Sequence, residues 1–281
     1  MSEQKNVSET AETAALLRAI ACYETDGNIR GNDDIAKYFL SEEKRNKITN
    51  EIYRNAVKAI ARNGLYEYII ARTAYFDDLF VHALGENIPQ IVLLGAGYDS
   101  RIYRYNGSIG NTKVFEVDAP FTQENKLSIL KSNEINTDKA IYVSVDFEKD
   151  NLMECMINSG YCPLRKTLHI WEGVCFYLTP GAVEETLTAL ISNSAPQSVI
   201  SFDYVNIHIS GDIGIRRKDE SVLFGMDKLE MEDYLETLNC RILQNMDFNE
   251  MNRLYLTCET GEIFGKVKTT LNIIKVETEA G

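Results

Sequence analysis

The apolar positions change their spacing once along this chain, near residue 85, and that change divides it. From Ser8 to about Gly85 the pattern is helical throughout. Ser41, followed by Glu42 and Glu43, predicts a capped helix start with Ile48, Ile52, Ala56 and Ile60 on one face and Gly64 as its stop. A second helix is predicted from Leu65 to Gly85, with Leu65, Ile69, Phe76, Leu79 and Ala83 as its apolar stripe and Arg72 on that same stripe. Beyond Pro89 come short runs rich in β-branched residues, QIVLLGAG, TKVFEVD, AIYVSVDF, TLHIWEG and SVISFDY. Helical segments such as TQENKLSILKS and TPGAVEETLTALIS lie between them. Continuous apolar strands alternating with helices predict a parallel sheet covered on both faces. A long irregular stretch follows Tyr204, then a helix from about Asp227 to Asn239, then two further strand-like runs, CRILQNMD and TLNIIKVET. The organisation expected is a helical N-terminal extension or cap (1–85) on an α/β core (86–281), with a lid-like insertion at about 205–228, after the fifth strand.

Composition narrows the function classes. The 281 residues hold 29 Lys and Arg against 42 Asp and Glu, a formal charge of −13, with 44% hydrophobic and 25% charged residues. Such an acidic globular chain repels phosphate backbones and anionic lipid, so neither nucleic acid nor a membrane is expected as a partner. No apolar run is long enough to span a bilayer, and the first residues do not form a secretion signal. Six cysteines without a CxxC pair, and only three histidines, give no metal-ligand spacing and read as reduced thiols of a cytoplasmic protein.

In an open parallel sheet, ligands bind outside the carboxyl ends of the strands. Here those ends are Gly95-Ala96-Gly97, Asp118, Asp146-Phe147, Glu172-Gly173 and Asp203. The glycine turn lets backbone amides approach a ligand, but position 100 is Ser, so the third glycine of GxGxxG is missing. Asp118, 21 residues past Gly97, is placed to accept both hydroxyls of a ribose. Those two features admit a nicotinamide cofactor or S-adenosylmethionine, and a tight turn without a ligand is the plain alternative. The later acids favour S-adenosylmethionine, which has no phosphate but carries a sulfonium and an ammonium group. Asp146 suits the adenine amino group, Phe147 its ring, and Glu172 the cationic end. Helix capping is the structural alternative for each acid. Arg72 on an apolar stripe needs an anion, either the cofactor carboxylate or a buried acid of the chain.

The strings SETAETAALLRAI, ARTAYFDDLF, QIVLLGAGYDSRIYRY, KVFEVDAPFTQENK, YVSVDF, HIWEGVCFYLTPGAVEETL and SFDYV resemble the leucine carboxyl methyltransferase-like family, in its branch of bacterial O-methyltransferases of the polyketide-tailoring type. The resemblance runs from Ser8 to about Tyr204. It implies a class I, Rossmann-like methyltransferase fold with a seven-stranded, mostly parallel sheet. It also implies S-adenosyl-L-methionine held by Arg72, Gly95, Ala96, Gly97, Asp118, Asp146, Phe147 and Glu172, with Arg18 near the cofactor carboxylate. The sequence departs from the family pattern at Gly31-Asn32, where an acidic-proline pair is usual, and at Ala71, where Thr is common.

Methyl transfer from a sulfonium is an in-line displacement governed by proximity, so no catalytic residue and no general base is assigned. A carboxylate acceptor is already ionised at neutral pH, whereas a phenol needs a base. The scarcity of histidines therefore favours a small-molecule carboxylate. His82, His169 and His208 read as core or solvated residues. Tyr177, Tyr204 and Arg216 are the substrate-side candidates, with Arg217 and Lys218 beside the last and Phe176 and Tyr98 as further aromatic wall. A protein C-terminal carboxylate as acceptor, a non-catalytic S-adenosylmethionine-binding domain and a nicotinamide-dependent oxidoreductase are the competing readings.

Overall fold

The computed structural model describes residues 9–61, 64–207 and 222–279. The N-terminal part holds α1 (Glu9–Ala21), α2 (Glu42–Lys47), α3 (Glu51–Ile60) and α4 (Leu65–Gly85). It is not helical throughout: residues 22–35 run as turns, and a short 3₁₀ turn covers Ala36–Phe39. The single helix expected after Ser41 is two. Ser41 caps α2 through Lys44 N, and Asn50 then caps α3 by accepting from the amides of Ile52 and Tyr53. A short polar side chain that satisfies the first amides of a new helix competes with continuation of the old one. The restart rotates the apolar face, leaving Ile48 buried and Ile52 80% exposed.

The core alternates β1 (Gln90–Leu94), α5 (Arg101–Arg104), β2 (Lys113–Asp118), α6 (Pro120–Ser132), β3 (Ala140–Ser144), α7 (Leu152–Asn158), β4 (Thr167–Trp171), α8 (Pro180–Ser192) and β5 (Val199–Val205). It closes with α9 (Lys228–Thr237), β6 (Cys240–Met246), α10 (Phe248–Tyr255) and β7 (Leu271–Thr278). The strands form one seven-stranded sheet in the order β3-β2-β1-β4-β5-β7-β6, parallel except for β7, which runs antiparallel to both neighbours. Every residue of β1 and β4 is buried, which is why Ile91–Leu94 form an unbroken apolar run; β4 buries Thr167 and His169 as well.

The chain leaves β1 toward β2 and β3 on one side and returns to β4 and β5 on the other, so a switch point lies between β1 and β4. The register pairs Leu94 with Val117, Asp118 with Ser144, Leu93 with Ile170 and Trp171 with Phe202. The residues after these pairs therefore emerge along one edge. Helix α4 packs against α1 and α10 and reaches β4, so it delivers its inward side chains to that edge.

Candidate functional site

At the edge above the switch point Gly95 and Gly97 take left-handed backbone conformations, φ 60° and 40°. At Gly95 a Cβ would lie 2.4 Å from Val174 Cγ2, so the glycine is required by close approach as well as by φ. Asp118 fixes the turn by accepting from the amides of Gly97 and Ala119. Burial raises the Asp118 carboxyl above its usual range, against the opposing effect of those two amides. Among the described residues no basic group forms an ion pair with it.

Glu172 and Gly173 follow β4. Gly173, at φ 73°, lets its Cα approach the Arg72 guanidinium, which an added Cβ would meet at 3.0 Å. Arg72 Nε lies 2.9 Å from Glu172 Oε1, an ion pair out of line for a hydrogen bond. Its Nη1 donates to Asp203 Oδ2 at 3.2 Å. Tyr68, one turn earlier on α4, donates to the same oxygen at 2.6 Å, and the Gly173 amide donates to Oδ1 at 2.6 Å. Asp203 is thus not a helix cap: it ties the Glu172-Gly173 turn to α4. Burial raises its carboxyl despite Arg72 and Tyr68.

The ionic network extends through Arg18, to which the resemblance points, and through Asp33, Asp77, Asp99, Arg101 and Arg104, to which it does not. Arg101 binds Glu172 Oε2 at 2.7 Å, Asp99 at 2.5 Å and Asp77 at 2.8 Å. Arg104 forks onto Asp77 at 2.7 and 2.8 Å. Arg18 of α1 donates to Asp33 at 2.8 Å and to the Tyr98 carbonyl at 2.7 Å, joining the N-terminal helix to the glycine turn. Burial would raise Asp33, but Arg18 and Arg104 override it and hold the carboxyl below its usual range. The clue available in sequence was the one that marked Arg72, a charged residue within a largely apolar helix, and Asp77 is carried by the same helix.

Part of this network borders a cavity of about 870 Å³, a size that accommodates two small molecules. Arg72, Gly95, Ala96, Gly97, Asp118, Asp146, Phe147 and Glu172 all line it, as do Arg18, Tyr98, Phe176 and Tyr177. Phe147 stacks on Trp171 with ring centroids 6.3 Å apart. Asp146 accepts from the Glu148 amide at 3.1 Å and pairs with Lys149, so part of its carboxylate serves the local turn. Tyr204 does not belong to this wall. Side chains alternate along a strand, and Tyr204 points to the face opposite Asp203, where its hydroxyl donates to Asn245 at 3.0 Å and accepts from Asn272 at 3.1 Å. Arg216, with Arg217, Lys218, His208 and most of the expected insertion, lies outside the described residues. Buried His169 also faces away, with Tyr161 and Ser194 around it, and burial lowers it to about 4. Among the described residues no group of three or more His, Cys, Asp or Glu side chains is placed to hold a metal, and no helix is long and apolar enough to cross a membrane.

Comparison with known proteins agrees with this geometry. The family model described as leucine carboxyl methyltransferase matches residues 11–191. A Mycobacteroides abscessus protein named "Putative S-adenosyl-L-methionine-dependent methyltransferase" is 30% identical over 204 residues, covering 71% of this chain and 67% of its own. A similarly named Streptomyces coelicolor protein is 37% identical over 131 residues, 46% of each chain. The crystal structure of a "putative methyltransferase" from Thermobifida fusca superposes with a TM-score of 0.61 at 13% identity, covering 95% of this chain and 94% of that one, and shows the shared fold. The switch-point cavity, the glycine turn held by Asp118 and the matched span lead to one conclusion: the chain belongs to the leucine carboxyl methyltransferase family of S-adenosylmethionine-dependent methyltransferases.

Proposed function

We propose that the chain methylates a carboxylate oxygen of a small molecule by in-line transfer, with residues 1–85 acting as the cap and 86–281 as the core. S-adenosylmethionine supplies a methyl group on a positively charged sulfur. The acceptor oxygen forms the new C–O bond as the C–S bond breaks, and the bonding pair stays with sulfur.

The residues present suit that cofactor. Asp118 spends one lone pair on each of two amides, which leaves acceptor capacity for two ribose hydroxyls. Phe147 offers a ring for the adenine, beside Asp146. The buried network sets the carboxylates of Asp33, Asp77, Asp99, Glu172 and Asp203 against the guanidinium groups of Arg18, Arg72, Arg101 and Arg104. That excess of negative charge complements a ligand with two cationic groups and one carboxylate. In this reading Arg72 and Glu172 orient the amino-acid end, Gly95, Ala96 and Gly97 give it room, and Tyr177 borders the acceptor.

One observation carries the choice of acceptor. The lining that α3 and the start of α4 contribute includes Tyr53, Val57, Ile60, Leu65 and Ile69, none of which is a base at neutral pH. An ionised carboxylate needs no base, and its reaction with a sulfonium turns two opposite charges into neutral products, which an apolar surrounding favours. The test is turnover of carboxylic acids and phenols from neutral to mildly alkaline pH. Acids should react at a rate independent of pH. Turnover confined to phenols, rising about tenfold per pH unit below the phenol pKa, would refute the assignment.

A further inference from the structure

Helix α3 is held by charged tethers and buries its apolar face only in part. Its cationic side chains make ion-pair and ring contacts with the rest of the fold, while Tyr53 and Val57 are half-buried against the core. Lys58 pairs with Glu24, Arg54 stacks over the Tyr23 ring at 4.3 Å, and Arg54 also donates to the carbonyls of Ile48 and Thr49 at 2.9 and 3.0 Å. Its apolar stripe, Tyr53, Ala56, Val57 and Ile60, follows the i, i+3, i+4, i+7 spacing of one face and lines the cavity. No residue of α3 is buried, and Ile60 is 75% exposed. The Asn50 cap and the charged tethers hold this stripe toward the void.

Charge on that void is equally informative. Each cation lining the cavity among the described residues already faces an acid: Lys44 with Glu12, Arg18 with Asp33, Arg72 with Glu172 and Asp203, Arg101 with Asp77, Asp99 and Glu172, and Arg104 with Asp77. A second anionic group on an acceptor would lose water against the apolar stripe with no cation to replace it.

We infer that the acceptor half of the cavity takes a molecule with an extended apolar body and a single anionic group at its end, and that the Tyr53, Ala56, Val57 and Ile60 stripe of α3 selects that body. The inference rests on the methyl-transfer reading above and adds the chemistry of the acceptor beyond its reacting atom. Val174 and Phe176 continue the apolar lining on the core side.

The test is binding, read without turnover. Protein saturated with S-adenosylhomocysteine is titrated calorimetrically with straight-chain monocarboxylates from butanoate to octanoate, and with octanedioate. Burial of each added methylene should lower Kd by about two- to fourfold, and octanedioate should bind at least about tenfold more weakly than octanoate. Ile60→Asp and Val57→Asp should each weaken octanoate by about tenfold and leave S-adenosylhomocysteine affinity within about twofold, whereas Ile60→Leu should retain octanoate binding. A Kd that does not fall with chain length, a dianion that binds as tightly as the monoanion, or aspartate variants without effect would overturn the inference while leaving the cofactor reading intact. Failure of the wild-type protein to bind S-adenosylhomocysteine would instead overturn the cofactor reading, and the acceptor class with it.

Discussion

Two of the ion pairs within the N-terminal segment both measure 2.8 Å. One joins Arg18 to Asp33, with 10% and 2% of the side chains exposed; the other joins Lys44 to Glu12, with 40% and 29% exposed. Distance alone predicts equal contributions, whereas burial predicts very different ones. Asp33→Asn removes a carboxylate held between Arg18 and Arg104, leaves two buried guanidinium groups short of a partner, and keeps an oxygen for the Ala36 amide. Breaking a buried pair from one side costs about 3–5 kcal/mol. At the entropy of unfolding of a domain this size, that corresponds to a fall in Tm of about 5–8 °C. Lys44→Met should cost less than about 1 kcal/mol, because water screens the pair it breaks. Urea unfolding followed by circular dichroism at constant m-value measures both. Because Arg18 also holds the Tyr98 carbonyl beside the glycine turn, Asp33→Asn should weaken S-adenosylhomocysteine binding and Lys44→Met should not. Equal losses of stability in the two variants would refute the reasoning.

Gly95→Ala should destabilise the fold by about 2–4 kcal/mol, from the left-handed backbone together with the overlap on Val174, and Val174→Ala in the same chain should recover part of the loss in urea melts. The raised Asp118 carboxyl gains its proton at a higher pH than an ordinary aspartate, so S-adenosylhomocysteine affinity should begin to fall on acidification above the usual carboxylate range; Asp118→Asn should bind weakly with no such pH dependence in calorimetry. His169, buried and lowered from 6.5 to about 4, stays neutral in the fold while the unfolded chain takes up a proton. Stability should therefore be fully present above about 6.5 and decline as pH falls toward 4, and His169→Gln should flatten that slope in urea melts.

The sheet was legible because buried parallel strands leave unbroken apolar runs, and the β-branched stretches after Pro89 correspond to β1 through β7. The acids at their ends were legible for a topological reason, since strands paired in parallel end on the same edge. Helix boundaries were less so. Ile48, Ile52, Ala56 and Ile60 share a helical period, and nothing in that period reveals that Asn50 takes the first amides of a new helix and turns Ile52 outward. Tyr204, expected on the substrate side, lies on the other face of the sheet from Asp203 because alternation along a strand sends neighbours to opposite faces. Asp33, Asp77, Asp99 and Arg101 are brought together from three separated stretches, and pairwise partners at that separation leave no mark on local periodicity. Burial of a charge is the trace they do leave, and only at Arg72 was it followed.

Intramolecular competition tests the central claim most directly. A hydroxyphenyl alkanoate carries a phenol and a carboxylate at the two ends of one apolar body, and S-adenosylmethionine labelled in its methyl group reports which oxygen is used. Label released as methanol on mild alkaline hydrolysis marks a methyl ester and is the predicted result. Label that survives hydrolysis as an aryl methyl ether would contradict the account.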